Sequence, residues 1–166
     1  MGELGMLDES HELLCGYVVK KMPKSPLHVR ILQKLLMFLI RAVPAGMSVR
    51  PEQPLTIGDS EPEPDLAVVR GEPDDWPDRH PATAELVVEI SVTTIDTDLE
   101  KADIYAEAGV PEYWLVRPEQ AEVDVYRAPA NGRYAEKVTL CGADTLHCGS
   151  IAGVEVKLSE LFTVKT

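Results

Sequence analysis

The sequence predicts an α/β fold of mixed type: one domain over residues 1–166, with a central mixed sheet flanked by helices. Three features carry the prediction. Residues Ala84 to Tyr113 read as strand, helix, strand. The first of those strands holds Leu86-Val87-Val88, apolar on both faces, as in a sheet covered on both sides. Leu32, Leu35, Leu36, Leu39, Ile40 and Val43 recur at helical spacing and form one apolar stripe. The expected central strands are Pro64–Arg70, Ala84–Val92 and Glu112–Pro118, with a helix over Ser25–Val43 across one face.

Composition sets the class. The chain has 166 residues, 45% hydrophobic and 27% charged, which suits a domain with a sizeable core. Met1 to Ser10 is acidic, lacks a long apolar core and does not read as a signal peptide. The longest apolar stretch, Ile31 to Val43, is interrupted by Gln33, Lys34 and Arg41, too short and too charged to span a bilayer. Cys15, Cys141 and Cys148 have no framework spacing, so reduced thiols and a cytoplasmic location are expected. The net charge of −12 argues against broad, nonspecific nucleic-acid binding, which needs basic surface. A local basic groove or a metal-mediated phosphate contact remains compatible with it.

In chain order, Met1 to Asp8 reads as a frayed terminus and Leu13 to Lys21 as a strand broken at Gly16. His11-Glu12-Leu13-Leu14-Cys15 starts like a zinc-protease helix, but Cys15 stands where the second histidine is required. Lys20, Lys21 and Lys24 form a small basic patch, read as a solvated edge. Ser25-Pro26 is a helix start, with a capping hydroxyl and a proline at the first helical position. His28, in that first turn, is read as structural. Met47 to Ile57 is an edge or irregular strand because of Pro51 and Pro54. Asp65 stands at the mouth of the next strand, on the face of Ala67 and Val69. Gly71 to Pro81 is a loop with Trp76 as an anchor, placed to act as a lid.

In the strand that follows, alternation puts Val87, Glu89 and Ser91 on one face. A polar turn, Thr93 to Asp98, precedes a helix expected over Leu99–Ala108, with Lys101 in its first turn. Helical side chains lean toward the N-terminus, so Lys101 should reach back to Glu89. Such a pair serves equally as a structural salt bridge or as part of a site. Ala121–Ala128 and Gly132–Leu140 form a hairpin pair. Asp144–Cys148 and Val154–Leu158 are short strands, and Ser159–Phe162 is a last helical turn. Cys141, His147 and Cys148 do not match structural-zinc spacing and are read as packing.

Asp65, Glu89 and Lys101 are the candidate chemistry. Phosphodiester hydrolysis uses a hard cation held by carboxylate oxygens, and a lysine beside it can orient water or offset developing charge. Pro64-Asp65 followed by Glu89-Ile90-Ser91 resembles the PD-(D/E)XK nuclease superfamily. More closely, the chain resembles the Uma-two family of restriction-endonuclease-like proteins. The matching segments are Glu12, Lys21-Met22-Pro23, His28, Pro62-Glu63-Pro64-Asp65, Leu86-Val87-Val88-Glu89, Glu100-Lys101, Tyr105-Ala106-Glu107-Ala108-Gly109-Val110 and Glu112-Tyr113-Trp114.

That resemblance implies a restriction-endonuclease-like core, a DNA substrate, a homodimer and a Mg2+ (or Mn2+) site. It implies Asp65, Glu89 and Ile90 as metal positions, Lys101 as the catalytic ammonium and Glu12 as an auxiliary acid. The superfamily's usual third-position lysine is Ser91 here, and the closer family implies Lys101 in its place. The resulting expectation is a metal-dependent endonuclease. The alternative is an inactive nuclease-like binding or assembly module, which the acidic charge favours. Asp65, Glu89 and Lys101 should converge in one cleft, with no other basic residue neutralising the two acids and at least one acid pKa raised.

Overall fold

The structure, a computed structural model, describes residues 11–92 and 95–166. The reading of Met1 to Asp8, and that of Thr93 and Thr94, lies outside the described residues. Among the described residues, ten strands and three α-helices follow in the order β1(His11–Leu14), β2(Tyr17–Lys20), α1(Pro26–Ala42), β3(Met47–Pro51), β4(Leu66–Arg70), β5(Leu86–Ile90), α2(Ile95–Glu107), β6(Glu112–Arg117), β7(Glu122–Ala130), β8(Arg133–Cys141), β9(Thr145–His147), β10(Glu155–Lys157) and α3(Leu158–Phe162).

The main sheet has six strands in the order β3-β4-β5-β6-β7-β8. It is mixed, as expected: β5 and β6 run parallel around the α2 crossover, and the other neighbours are antiparallel. Leu86, Val87 and Val88 are fully buried, because the sheet is covered on both faces. On one face, Leu66, Val68, Leu86, Val88, Ile90 and Trp114 meet α1 and the β9–β10–α3 segment. On the other, Ala67, Val69, Val87, Tyr113 and Leu115 meet Ala102 and Tyr105 of α2. Strand parity thus assigns every side chain of β4 and β5 to one layer or the other.

Helix α1 begins as the sequence requires. Ser25 is the cap, its hydroxyl accepts from the His28 N–H at 3.1 Å, and Pro26 holds the first helical position. Asn131 and Gly132, with φ of 52° and 74°, form the two-residue turn between β7 and β8.

Three elements differ from the sequence reading, the first being the strand expected over Met47–Ile57, which ends at Pro51. The expected broken strand Leu13–Lys21 is a tight hairpin, β1 against β2, with Leu14 opposite Tyr17. Cys15 and Gly16 both take positive φ, 49° and 79°, and so supply the two left-handed residues that a two-residue hairpin turn needs. Helix α2 starts at Ile95 instead of Leu99, so Lys101 lies in its second turn. Asp96 and Asp98 in the first turn suit the positive end of the helix dipole, and the polar run read as a turn is therefore largely helix. Among the described residues, no helix is long and apolar enough to cross a membrane.

Candidate active site

The register that pairs Leu66 with Val88 places Asp65, one residue before β4, beside Glu89, one residue further along β5. Both side chains face the α2 layer by parity with Ala67 and Val87. The two acids are tied through the main chain. The Asp65 N–H donates to Glu89 Oε2 at 3.3 Å, and the Ile90 N–H donates to Asp65 Oδ2 at 2.7 Å. Each carboxylate is thereby held at a fixed angle to the other.

Helix α2 closes the site. Asp98, Lys101 and Tyr105 lie three and four residues apart and so share one helical face. Lys101 Nζ donates to Glu89 Oε1 at 3.2 Å, and the Tyr105 hydroxyl donates to the same oxygen at 2.7 Å. Glu12, from β1, lies 2.9 Å from the Lys101 ammonium through Oε2 and accepts the Glu63 N–H at 2.7 Å through Oε1. Asp98 Oδ1 is 3.9 Å from Lys101 Nζ. Glu12, Asp65, Glu89, Asp98 and Lys101 are all buried. All five line one cavity of about 320 Å³, together with His28 and Ile90. The Ile90 side chain belongs to the core on the α1 side, which leaves its main chain to face the cavity.

The structure therefore places Asp65, Glu89, Lys101 and Glu12 together. It also brings in groups that the sequence reading set aside. His28 Nε2 lies 3.1 Å from Asp65 Oδ1, so a second basic group does face the acids, contrary to expectation. Its signal was present: the first turn of a capped helix is held rigidly, and a histidine there is ready for use. Tyr105 could have been found from its i,i+4 spacing to Lys101. Lys20, Lys21 and Lys24, read as a solvated edge, line the same cavity.

The electrostatics follow from burial and crowding. Burial pushes the Glu89 carboxyl well above its usual range; the Lys101 charge opposes this, while Asp65, Asp98 and Glu12 push it further up. Burial also pushes Asp65 upward, but the hydrogen bond and charge of His28, helped by the Ile90 N–H, leave it below its usual value. Burial disfavours the Lys101 ammonium, yet Glu89, Glu12 and Asp98 outweigh it and raise its pKa.

The donor set fits a hard divalent cation. Among the buried groups of the cavity, the carboxyls of Glu12, Asp65, Glu89 and Asp98 outnumber Lys101 and His28, and oxygen donors are the kind a hard divalent cation takes. Glu89 Oε2 accepts one long hydrogen bond, whereas Oε1 is fully engaged. Among the described residues, no group of three or more His, Cys, Asp or Glu side chains is arranged to hold a metal ion.

The Uma2 family, described as "Putative restriction endonuclease", matches residues 6–159. The chain belongs to this family. A crystal structure of a protein described as a putative nuclease of DUF820, from Anabaena variabilis, superposes with a TM-score of 0.75 at 18% identity, covering 94% of this chain and 91% of that one. At that identity the likeness concerns the fold. Among curated proteins, no sequence relative matches.

Proposed function

We propose that the protein is a metal-dependent endonuclease that hydrolyses DNA phosphodiester bonds. The observation that carries this reading is the convergence of Asp65, Glu89 and Lys101 in one buried cavity, in a chain of a restriction-endonuclease family. In this reading Asp65 and Glu89 hold Mg2+ or Mn2+, with the Ile90 main-chain carbonyl as a third contact. When bound, such a cation polarises the phosphate and makes its bound water a stronger nucleophile.

The residues around it have distinct tasks. Tyr105 and Lys101 engage Glu89 Oε1 and leave Oε2 for the cation. His28 holds Asp65 ionised through Oδ1. Lys101, held between Glu12 and Glu89, acts through its charge. It orients water or a phosphate oxygen and offsets the charge that develops on it. Glu12 acts through Lys101, fixing the ammonium from the β1 side.

A homodimer belongs to the same reading. The strands β3 and β8 end the sheet, and β8 is largely exposed, an edge open to pairing. Light scattering at high concentration tests this, and a persistent monomer would count against it.

The net charge of −12 favours the other reading, an inactive binding or assembly module. Cleavage of supercoiled plasmid and of single-stranded DNA with Mg2+ or Mn2+ separates the two. Cutting by the wild type that is lost in Asp65→Asn is expected. A folded wild type that cuts neither substrate with either metal would sink the nuclease reading.

A further inference from the structure

We infer that Lys20, Lys21 and Lys24 form a phosphate-binding rim that seats the backbone of the substrate strand at the mouth of the acidic cavity. The inference rests on the nuclease reading and extends it to substrate binding. A protein of net charge −12 cannot draw DNA through its overall field. Charges beyond about a Debye length, roughly 10 Å, are screened, so local cations decide.

The three lysines are those cations. They come from the end of β2 and the connection to α1, and all three line the cavity that contains Asp65 and Glu89. Dense negative charge in the depth of the cavity suits a metal ion; positive charge at its mouth suits the phosphates on either side of the one that reacts.

The rim is held ready by weak ion pairs. Lys21 Nζ lies 2.7 Å from Glu63 Oε1, and Lys24 pairs with Glu52. Both pairs are part exposed, with side-chain exposures of 22% and 21% in the first and 36% and 42% in the second. The Lys24–Glu52 pair is the more exposed and so the more easily exchanged, and an entering phosphate can replace its carboxylate first. Lys20 is exposed and has no ion-pair partner among the described residues. Glu52 and Glu63 then act as competitors that keep the rim from holding anions indiscriminately.

The test is binding of a short fluorescein-labelled DNA, duplex and single-stranded, by anisotropy across a salt series in calcium. For the Lys20→Ala, Lys21→Ala, Lys24→Ala variant, the slope of log affinity against log salt should become shallower by about 3. The Glu52→Gln, Glu63→Gln variant should bind more tightly, by about fivefold at most for each pair. If the triple variant melts below the assay temperature, Lys20→Ala alone should reduce the slope by about 1. A wild type that binds while both lysine variants keep its affinity and slope overturns the inference and leaves the nuclease reading standing. A wild type that binds neither DNA overturns both. Lysine-dependent binding without cleavage in magnesium or manganese supports the rim and sinks the nuclease reading alone.

Discussion

Lys101 Nζ lies 3.2 Å from Glu89 Oε1, yet Glu89 is not the only acid on which this ammonium depends. Glu12 is closer, at 2.9 Å, and Asp98 is at 3.9 Å. Removing the charge of Glu89 therefore leaves Lys101 paired, while it relieves the repulsion from Asp65, Asp98 and Glu12. Glu89→Gln should be as stable as the wild type without metal, or more stable. Magnesium should raise the melting temperature of the wild type and leave the mutant unmoved. Thermal melting of both proteins, with and without magnesium, checks this. A mutant that melts lower, with a wild type indifferent to magnesium and manganese, would make the pair purely structural.

Loss of the lysine should have the opposite sign. Lys101→Met leaves Glu12 and Glu89 buried with the repulsion between them unopposed. Breaking a buried pair from one side costs about 3–5 kcal/mol. Here one ammonium serves two acids, so the upper part of that range is expected from urea denaturation. The double variant Lys101→Met, Glu89→Gln should recover part of the loss, since the two positions are in contact.

The raised Glu89 pKa gives a pH dependence. The folded protein keeps the Glu89 proton at pH values where the unfolded chain has already released it. Between the ordinary glutamate value and the raised one, the folded state binds more protons, so this residue makes stability fall as pH rises. Asp65 acts the other way. Its lowered pKa contributes stability above the ordinary aspartate value, which is lost as pH falls through the folded one. Metal-free stability measured against pH should decline through the window above the ordinary glutamate pKa, and Glu89→Gln should remove that decline. An identical slope in the mutant would mean that Glu89 is not the group responsible.

Much of this arrangement was legible in the chain because it depends on periods. The unbroken apolar run at Leu86–Val88 announced a sheet covered on both faces, and parity grouped Asp65 with Ala67 and Glu89 with Val87, although only the strand register makes these one face. The backward lean of helical side chains brought Lys101 to Glu89 even though α2 begins a turn earlier than expected. What was not legible depends on contacts between distant segments. The hairpin turn at Cys15-Gly16 has no Asn-Gly or Asp-Gly signature, so Glu12 and Lys20 were not seen to fold back toward the cavity. His28 meets Asp65 only because α1 crosses the sheet with its first turn at the strand ends, and no local pattern encodes that crossing.

Tyr105 offers the sharpest remaining test, because it acts on the same carboxylate as Lys101 without carrying a charge. Its hydroxyl donates to Glu89 Oε1 at 2.7 Å, and its ring is fully buried, 5.2 Å from the Tyr113 ring between centroids. Burial, then the neighbouring Glu89 charge, raises the Tyr105 pKa, so the hydroxyl stays a donor. Tyr105→Phe preserves the packing and removes one hydrogen bond to the buried Glu89 carboxyl. Stability without metal should fall by about 0.5–1.5 kcal/mol, whereas Glu89→Gln should not lower it. A carboxylate freed to rotate also presents Oε2 less reliably, so manganese affinity should fall about 10–100-fold, in the range for groups that orient metal ligands. Denaturant melts and a manganese titration measure the two effects separately. If Tyr105→Phe loses stability yet binds manganese as the wild type does, the hydroxyl supports the fold alone and Glu89 does not depend on it to present a ligand.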